Sequence, residues 1–132
     1  MSWANDYVGI PFQWHGSDRN GCSCWGLVRL VARDIWGRQL PRHDEIEVGA
    51  EKGEASPQPY MEGFAPIDLT DAKEGDLLHM WALYKSRKLP LHVGMVVEPG
   101  KVLHIEEGCG SVIVDYRKQP MNRRVIGAYR FA

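Results

Sequence analysis

The stretch 21–31 constrains this chain most, because a tight turn there runs directly into an amphipathic helix with a cysteine in its first turn. Ser23 is a favourable N-cap, since its hydroxyl can accept a hydrogen bond from the unpaired backbone N–H groups of the turn that it opens. Cys24 is therefore predicted at the first helical position, and the helix is predicted to end at Trp36, before the left-handed terminator Gly37. Spacings of three and four residues place Cys24 on the apolar face, so its thiol points toward whatever the helix packs on.

Two interpretations of Cys24 follow from this position. A thiol at a helix N-terminus experiences the positive end of the dipole and the unpaired amides, which predicts a pKa below its free value of about 8.5. The same amides could hold an oxyanion, as in a cysteine hydrolase. The alternative is a small buried hydrophobe, the usual fate of a free cysteine. A lone cysteine does not decide between them, whereas a histidine placed as its base would favour the hydrolase.

Two histidines supply that base. Strand periodicity puts His92 on one face of the run from Leu91, next to Gly94, which leaves room for another backbone or a ligand. If Pro99 and Gly100 form a tight hairpin, His104 on the next strand lies diagonally near His92 on the same face. Since the thiol-bearing helix must pack on this sheet, a Cys-His-His site of Cys24, His92 and His104 is predicted.

The remaining histidines and a metal site are weaker candidates. His43 and His79 are interpreted as structural, whereas His15, close to the nucleophile in sequence, is a candidate for substrate contact. Zinc could use the cysteines and strand histidines, but Cys-x-Cys lacks the usual ligand gap, so no metal and no cofactor is predicted. Cys22 and Cys109 are interpreted as packing or spare thiols.

The composition excludes several classes of protein. The chain has 132 residues and a formal net charge of −1, which predicts a single domain over 1–132 and no nucleic-acid partner. Four basic residues near the C-terminus are interpreted as a solvated sheet edge; they are Arg117, Lys118, Arg123 and Arg124. No basic leader with an apolar stretch opens the chain, so we expect neither secretion by a signal peptide nor membrane insertion.

The rest of the chain divides into an irregular part and a strand-rich part. Residues 38–74 are interrupted by proline and glycine, which predicts loops with one or two short helices that shape a substrate groove. Five β-rich runs follow, for which a consecutive antiparallel meander is the simplest topology. These runs are Asp76–Ala82, Leu91–Glu98, Val102–Glu106, Ser111–Tyr116 and Val125–Phe131.

Five motifs in order resemble those of the NlpC-type cell-wall cysteine peptidases, a compact branch of the papain-like fold. Gly21–Val28 resembles the family's Asp-Cys-Ser-Gly-Leu-Val nucleophile motif, and His92–Val96 resembles its His-Val-Gly-Ile strand. Tyr7–Gly16 is similar to its approach loop, Glu74–Leu78 to its Pro-Gly-Asp-Leu strand, and Val102–Ile105 to the strand of the third catalytic residue.

The resemblance implies an α+β papain-like domain with N-terminal helices packed on an antiparallel sheet of five to six strands. It implies that Cys24 is the nucleophile, that His92 is the base and acid, and that His104 orients His92. It further implies hydrolysis of stem-peptide amide bonds in bacterial peptidoglycan. Trp14, His15, Ser23 and Trp25 are the expected substrate contacts.

The Cys24–Arg29 variant, the length and the missing leader look most like the branch encoded by tailed phages. This resemblance implies a virion tail-tip protein that is made in the host cytoplasm, has other tail-tip proteins as partners and opens the wall for genome delivery. Phe12 stands where the family often has a tyrosine, and Ser23 and Trp25 replace the usual acidic residue and serine. A catalytically silent structural subunit and an acyl transferase therefore remain alternatives to the endopeptidase.

Overall fold

The computed structural model describes residues 3–53, 60–61, 63–84 and 87–131. Its two α-helices are α1 (Cys24–Trp36) and α2 (Asp44–Glu51). The strands are β1 (Ser17–Asp18), β2 (Gly21–Cys22), β3 (Ala65–Ile67), β4 (Leu77–Tyr84), β5 (Arg87–Glu98), β6 (Lys101–Glu106), β7 (Cys109–Asp115) and β8 (Val125–Arg130). Short 3-10 helices span Ala4–Tyr7, Leu69–Asp71 and Met121–Arg123.

Helix α1 begins and ends where the sequence predicts. The Ser23 hydroxyl accepts a hydrogen bond from the Gly26 amide at 3.0 Å, and Gly37 closes the helix with a φ of 63°. Gly26 also lets the first turn approach the preceding loop, because a Cβ there would lie 1.7 Å from the carbonyl oxygen of Gly16. The start of α1 is therefore fixed both by its cap and by the loop that leads into it.

The main sheet has six antiparallel strands in the order β3-β8-β4-β5-β6-β7. Strands β4 to β7 form the predicted meander, but the prediction of a fully consecutive meander is wrong, because β8 pairs with β4 and not with β7. The segment between β7 and β8 packs Tyr116 and Met121 into a cluster with Leu78 and Val96. Burial of these side chains stabilises a crossing of the segment over the sheet, so that β8 pairs with β4, three strands away from β7.

Two apolar clusters cover the sheet, and residues of one cluster alternate with residues of the other along the strands. Helix α1 packs with Val93, Met95, Leu103 and Ile105. The second cluster contains the intervening residues Leu78, Met80, Val96 and Val102. His92 and His104 alternate with the residues that contact α1, as the period of two in a strand requires.

The irregular part contains the short helix predicted there, α2, and the 3-10 helix Leu69–Asp71, while some of its residues lie outside the described ranges. It also contributes β3, a strand that the sequence pattern does not predict because Pro66 stands at its centre. Proline is tolerated at this position because β3 is the edge strand of the sheet. Among the described residues, no helix is long and apolar enough to cross a bilayer.

Candidate active site

Cys24 lies at the first turn of α1, against strand β5. Its sulfur is 3.8 Å from the carbonyl oxygen of Leu91, the residue that precedes His92. This end of β5 pairs with β4 on one side, where Met80 lies opposite His92, and its ladder with β6 runs from Met95 to Glu98. The helix thus delivers the sulfur to the stretch of β5 that carries His92.

The two strand histidines contact each other directly. Nε2 of His92 lies 2.9 Å from Nδ1 of His104, and both residues are buried. Because Nε2 of His92 is engaged with His104, Nδ1 is the ring nitrogen that remains for a proton from a thiol. The predicted proximity of His92 and His104 is confirmed.

Gly94 makes this contact possible. A Cβ at this position would lie 2.9 Å from the Leu103 carbonyl oxygen and 3.1 Å from Cβ of His104. The space predicted beside Gly94 is therefore filled by the β6 backbone and by Cβ of His104.

Cys24, His92 and a set of mainly apolar side chains line one cavity of about 400 Å³. Its walls come from the loop before α1, from α2, from the β4–β5 hairpin and from the β6–β7 turn. The other lining residues are Phe12, Trp14, Ala50, Ala82, Leu83, Leu89, Leu91, Ile105, Glu106, Glu107 and Cys109. A cleft with apolar walls and a few polar groups beside a thiol is the form expected of a substrate site.

The electrostatics of the thiol differ from the prediction. Burial raises the pKa of Cys24 to about 12, although the Val93 and Trp25 amides act in the opposite direction. The prediction of a lowered thiol pKa is therefore wrong, because removal of the thiolate from water outweighs the amides at the start of α1. Glu47 and Glu106 add to the rise through their negative charge.

The histidines are shifted toward their neutral forms. Burial lowers the pKa of His92 to about 3, with further lowering by His104. Burial also lowers the pKa of His104. A thiol with a raised pKa and imidazoles with lowered pKa values form a neutral resting site.

The four expected substrate contacts occupy different environments. Trp14 lines the cavity, and its indole N–H donates to Glu107 at 3.1 Å. His15 lies in the same loop with a φ of 66°, and its ring nitrogens are 3.3 Å from Glu47 and 3.2 Å from Glu51. The loop of Trp14 and His15 is thereby tied to both sides of the cleft.

Ser23 and Trp25, in contrast, are enclosed by the protein itself. Ser23 is 1% exposed and its hydroxyl caps α1. Trp25 is also 1% exposed, stacks on Tyr60 with ring centroids 5.0 Å apart and donates to the Pro41 carbonyl. Neither side chain lines the cavity, so we leave both out of the proposed substrate site.

Two further residues, Arg124 and Glu106, lie near the histidines and are not part of the predicted Cys-His-His site. Arg124 donates to both oxygens of Glu106, at 2.9 and 2.5 Å. The interpretation of Arg124 as part of a solvated edge is wrong, because its side chain is only 12% exposed. The sequence does contain a signal for Glu106, since the period of two in a strand places it on the same face as His104.

Within the described residues, His92, His104 and Glu106 offer ligand atoms within 4.8 Å of one another. The two imidazoles already face each other, and Arg124 binds both carboxylate oxygens. Because this donor set is satisfied by protein groups, we build no metal into the mechanism. Of the free cysteines Cys22 and Cys109, the first is buried and the second is exposed at the cavity.

A helix-start thiol and a strand histidine line one cavity, a second histidine contacts the first, and the helices pack on an antiparallel sheet; together these features are typical of the papain-like class of folds. The chain belongs to the NlpC/P60 family, whose family model matches residues 9–130. The predicted α+β papain-like architecture of this family is confirmed.

Individual relatives agree with this assignment. Over 127 residues, the chain is 22% identical to the murein DD-endopeptidase MepS/murein LD-carboxypeptidase of Escherichia coli K12. That alignment covers 95% of this chain and 57% of the relative, so the chain spans little more than half of the curated protein.

Solved structures show the same fold. The NlpC/p60 domain of the peptidoglycan hydrolase SagA matches with a TM-score of 0.69 at 22% identity, covering 98% of this chain and 94% of that one. An NlpC/P60 protein of Bacillus cereus matches with a TM-score of 0.71 at 19% identity, covering 98% and 38%. A Staphylococcus aureus protein similar to an NLP/P60 lipoprotein gives 0.68 at 24% identity, covering 98% and 39%.

Proposed function

We propose that this protein is a cysteine peptidase that hydrolyses stem-peptide amide bonds of bacterial peptidoglycan. The observation that carries the proposal is the shared cavity of Cys24 and His92, with His104 at 2.9 Å from Nε2 of His92. The names of two relatives, a murein endopeptidase and a peptidoglycan hydrolase, support peptidoglycan as the substrate.

The neutral resting site defines how the reaction begins. Nδ1 of His92 takes the proton of the Cys24 thiol as the sulfur attacks the substrate carbonyl carbon. Nε2 of His92 carries the proton of the hydrogen bond to Nδ1 of His104 throughout, so His104 orients the ring as it becomes an imidazolium. Substrate in the cleft displaces water, which strengthens the attraction between the imidazolium and the negative charge that develops on the substrate oxygen.

Acylation and deacylation follow from the same groups. Backbone N–H groups at the start of α1 stabilise the oxyanion. Phe12 lines the cavity but has no hydroxyl that could add a further hydrogen bond to it. Protonated His92 gives its proton to the leaving amine, and the C–N bond breaks to leave a thioester on Cys24. His92 then removes a proton from water, whose oxygen attacks the thioester and releases the carboxylic acid and the thiol.

The test is digestion of purified peptidoglycan by Cys24→Ala, with products identified by mass spectrometry. We expect Cys24→Ala to fold, as judged by circular dichroism, and to release no new muropeptides. Cys109→Ala is the matched control, because it removes the other thiol at the same cavity and should retain cleavage. Equal digestion by Cys24→Ala and the native protein would refute the proposal.

A catalytically silent scaffold is the second candidate function. The observation that favours it is the neutral resting site, in which burial disfavours both thiolate and imidazolium. It predicts no turnover by the native protein and no covalent labelling of Cys24 by iodoacetamide in the presence of substrate fragments. Labelling at Cys24 together with turnover would exclude it.

We further propose that the protein is a tail-tip component of a tailed phage that opens the wall for genome delivery. What supports this proposal is the likeness of Cys24–Arg29 to the phage-encoded branch. It predicts synthesis in the host cytoplasm and association with other tail-tip proteins. Proteomics of purified, nuclease-treated virions should detect the chain, and its absence from infective particles would overturn this assignment.

A further inference from the structure

A bidentate ion pair lies behind the histidine pair. Oε1 of Glu106 is 3.9 Å from Nδ1 of His104, and both Glu106 oxygens accept from Arg124. Glu106 is 30% exposed at the cavity, whereas Arg124 is 12% exposed. The carboxylate therefore connects the second histidine to a largely enclosed cation.

Arg124 is itself fixed in the sheet. Its Nε donates to the Trp81 carbonyl at 3.0 Å, and the Trp81 amide donates to the Arg124 carbonyl at 2.8 Å. Trp81 lies where the pairing of β4 shifts register between Met80 and Ala82. The arginine thus ties β4 to Glu106 at the end of β6, and a planar guanidinium with two parallel bonds leaves the carboxylate little freedom.

The carboxylate and the guanidinium act on the histidines in opposite directions. Glu106 raises the pKa of both His92 and His104, and Arg124 lowers it, with the carboxylate the stronger of the two. Burial remains the largest influence and lowers both values. The ion pair of Glu106 and Arg124 therefore supplies a small net negative potential at the two histidines, where burial disfavours positive charge.

We propose that Glu106, held by Arg124, is a positioning residue that keeps His104 behind His92 and provides the negative charge against which an imidazolium forms on His92. The proposal rests on the proposed function, because an imidazolium is needed only if His92 takes the thiol proton. It assigns no contact with substrate to Glu106.

The other titratable groups near the two histidines do not supply the negative charge that Glu106 provides. Glu107 follows Glu106 at the cavity but accepts a hydrogen bond from Trp14. Glu47, on α2, lies beside His15 and acts on the thiol. Among the described residues, the remaining titratable or charged groups that face the pair are neutral or positive; they are Cys24 on α1, His79 on β4 and Arg124 before β8.

The experiment compares Glu106→Gln with Glu107→Gln, two isosteric changes at neighbouring positions of one cavity. The acid limb of kcat/KM against pH reports protonation of the free enzyme's base. We expect Glu106→Gln to move this limb down by about 1 pH unit, as expected when a nearby opposite charge is lost. A weaker base should lower kcat about tenfold and leave KM within about twofold. Glu107→Gln can change the size of kcat/KM through its bond to Trp14, but its acid limb should stay at the native pH. Identical limbs in the two variants would overturn the proposal.

A double variant separates positioning from folding. If Glu106 serves only to neutralise Arg124, then Glu106→Gln with Arg124→Gln should restore both stability and the native pH profile. We expect the double variant to regain stability, because no unpaired charge remains. Its acid limb should recover the part of the shift that unpaired Arg124 causes, but should stay below the native limb, because the stronger influence of Glu106 is still absent. A restored native limb would show that the role of Glu106 is merely structural.

A measurement without substrate distinguishes failure of this inference from failure of the peptidase proposal. In ¹⁵N-labelled protein, the N–H···N hydrogen bond between His92 and His104 should give a measurable coupling across the bond in the native chain and in Glu107→Gln. We expect Glu106→Gln to weaken or abolish that coupling. An unchanged coupling, or its absence from the native protein, would overturn the inference whether or not peptidoglycan is cleaved.

Discussion

Nε2 of His92 and Nδ1 of His104 lie 2.9 Å apart, although the two histidines are twelve positions apart in the chain. The hairpin between β5 and β6 pairs Met95 with Leu103 and Val96 with Val102. This register places His104 diagonally across from His92, as an antiparallel pair with a tight turn requires. The geometry of the site is therefore determined largely by one turn and by the small residue beside it.

Gly94→Ala should disrupt this register. The added Cβ would lie 2.8 Å from Cγ2 of Val102 and 2.9 Å from the Leu103 carbonyl oxygen, so β6 must shift. We expect a loss of about 1–3 kcal/mol in the free energy of unfolding, measured by urea denaturation, and a large fall in kcat because His104 moves with β6. Gly127→Ala is the control, since a Cβ there would meet nothing closer than 3.7 Å. Equal stability and activity of the two variants would contradict the packing argument.

Stability should fall as the pH is lowered from 7. Burial lowers the pKa of His92 to about 3, so its ordinary value near 6.5 applies only in the unfolded chain. Below pH 6.5 the unfolded state binds more protons than the folded state, and stability is lost progressively until the pH reaches the folded value. At pH 5 the loss from this residue is about 2 kcal/mol. His104 and His79, whose pKa values are also lowered, act in the same direction.

Urea denaturation at pH 7.0 and pH 5.0 checks this dependence. His92→Asn should show a smaller difference between the two pH values than the native chain, because the asparagine does not titrate. Glu106, with a pKa lowered to about 2, contributes only when the pH falls below about 4.5 and so leaves this window unaffected. An equal pH dependence in His92→Asn would show that another group is responsible.

The sequence predicts those parts of the fold that depend on local chemistry. Helix α1 has a hydroxyl cap at Ser23 and a left-handed Gly37, and both signals operate within one turn of the helix ends. The pair of His92 and His104 is predictable for the same reason, because strand period and a short hairpin define their distance. Family motifs then connect Cys24 to the pair, although it lies on a different element.

The features that the sequence does not predict depend on contacts between distant segments. Strand β8 pairs with β4 because the preceding segment buries Tyr116 and Met121 across the sheet. Cys24 has a raised pKa because β5 encloses its thiol, an effect that no local pattern encodes. Arg124 is a charged residue of the kind usually found at the surface. Its contact with Glu106 depends on the positions of β6 and β8 in the folded sheet, which no local sequence pattern encodes.

Ser23 provides a test of whether the residue before the nucleophile has a structural or a substrate role. Its hydroxyl accepts from the Gly26 amide at 3.0 Å and is enclosed by the protein. Ser23→Ala should cost about 1 kcal/mol in the free energy of unfolding, whereas Ser23→Gly should cost only a few tenths, because glycine is a better N-cap than alanine. KM for a muropeptide substrate should stay within about twofold in both variants, since Ser23 does not line the cavity. If instead both variants kept native stability in urea and raised KM severalfold, Ser23 would belong to the substrate site, and the first turn of α1 would have to open toward the cleft during catalysis.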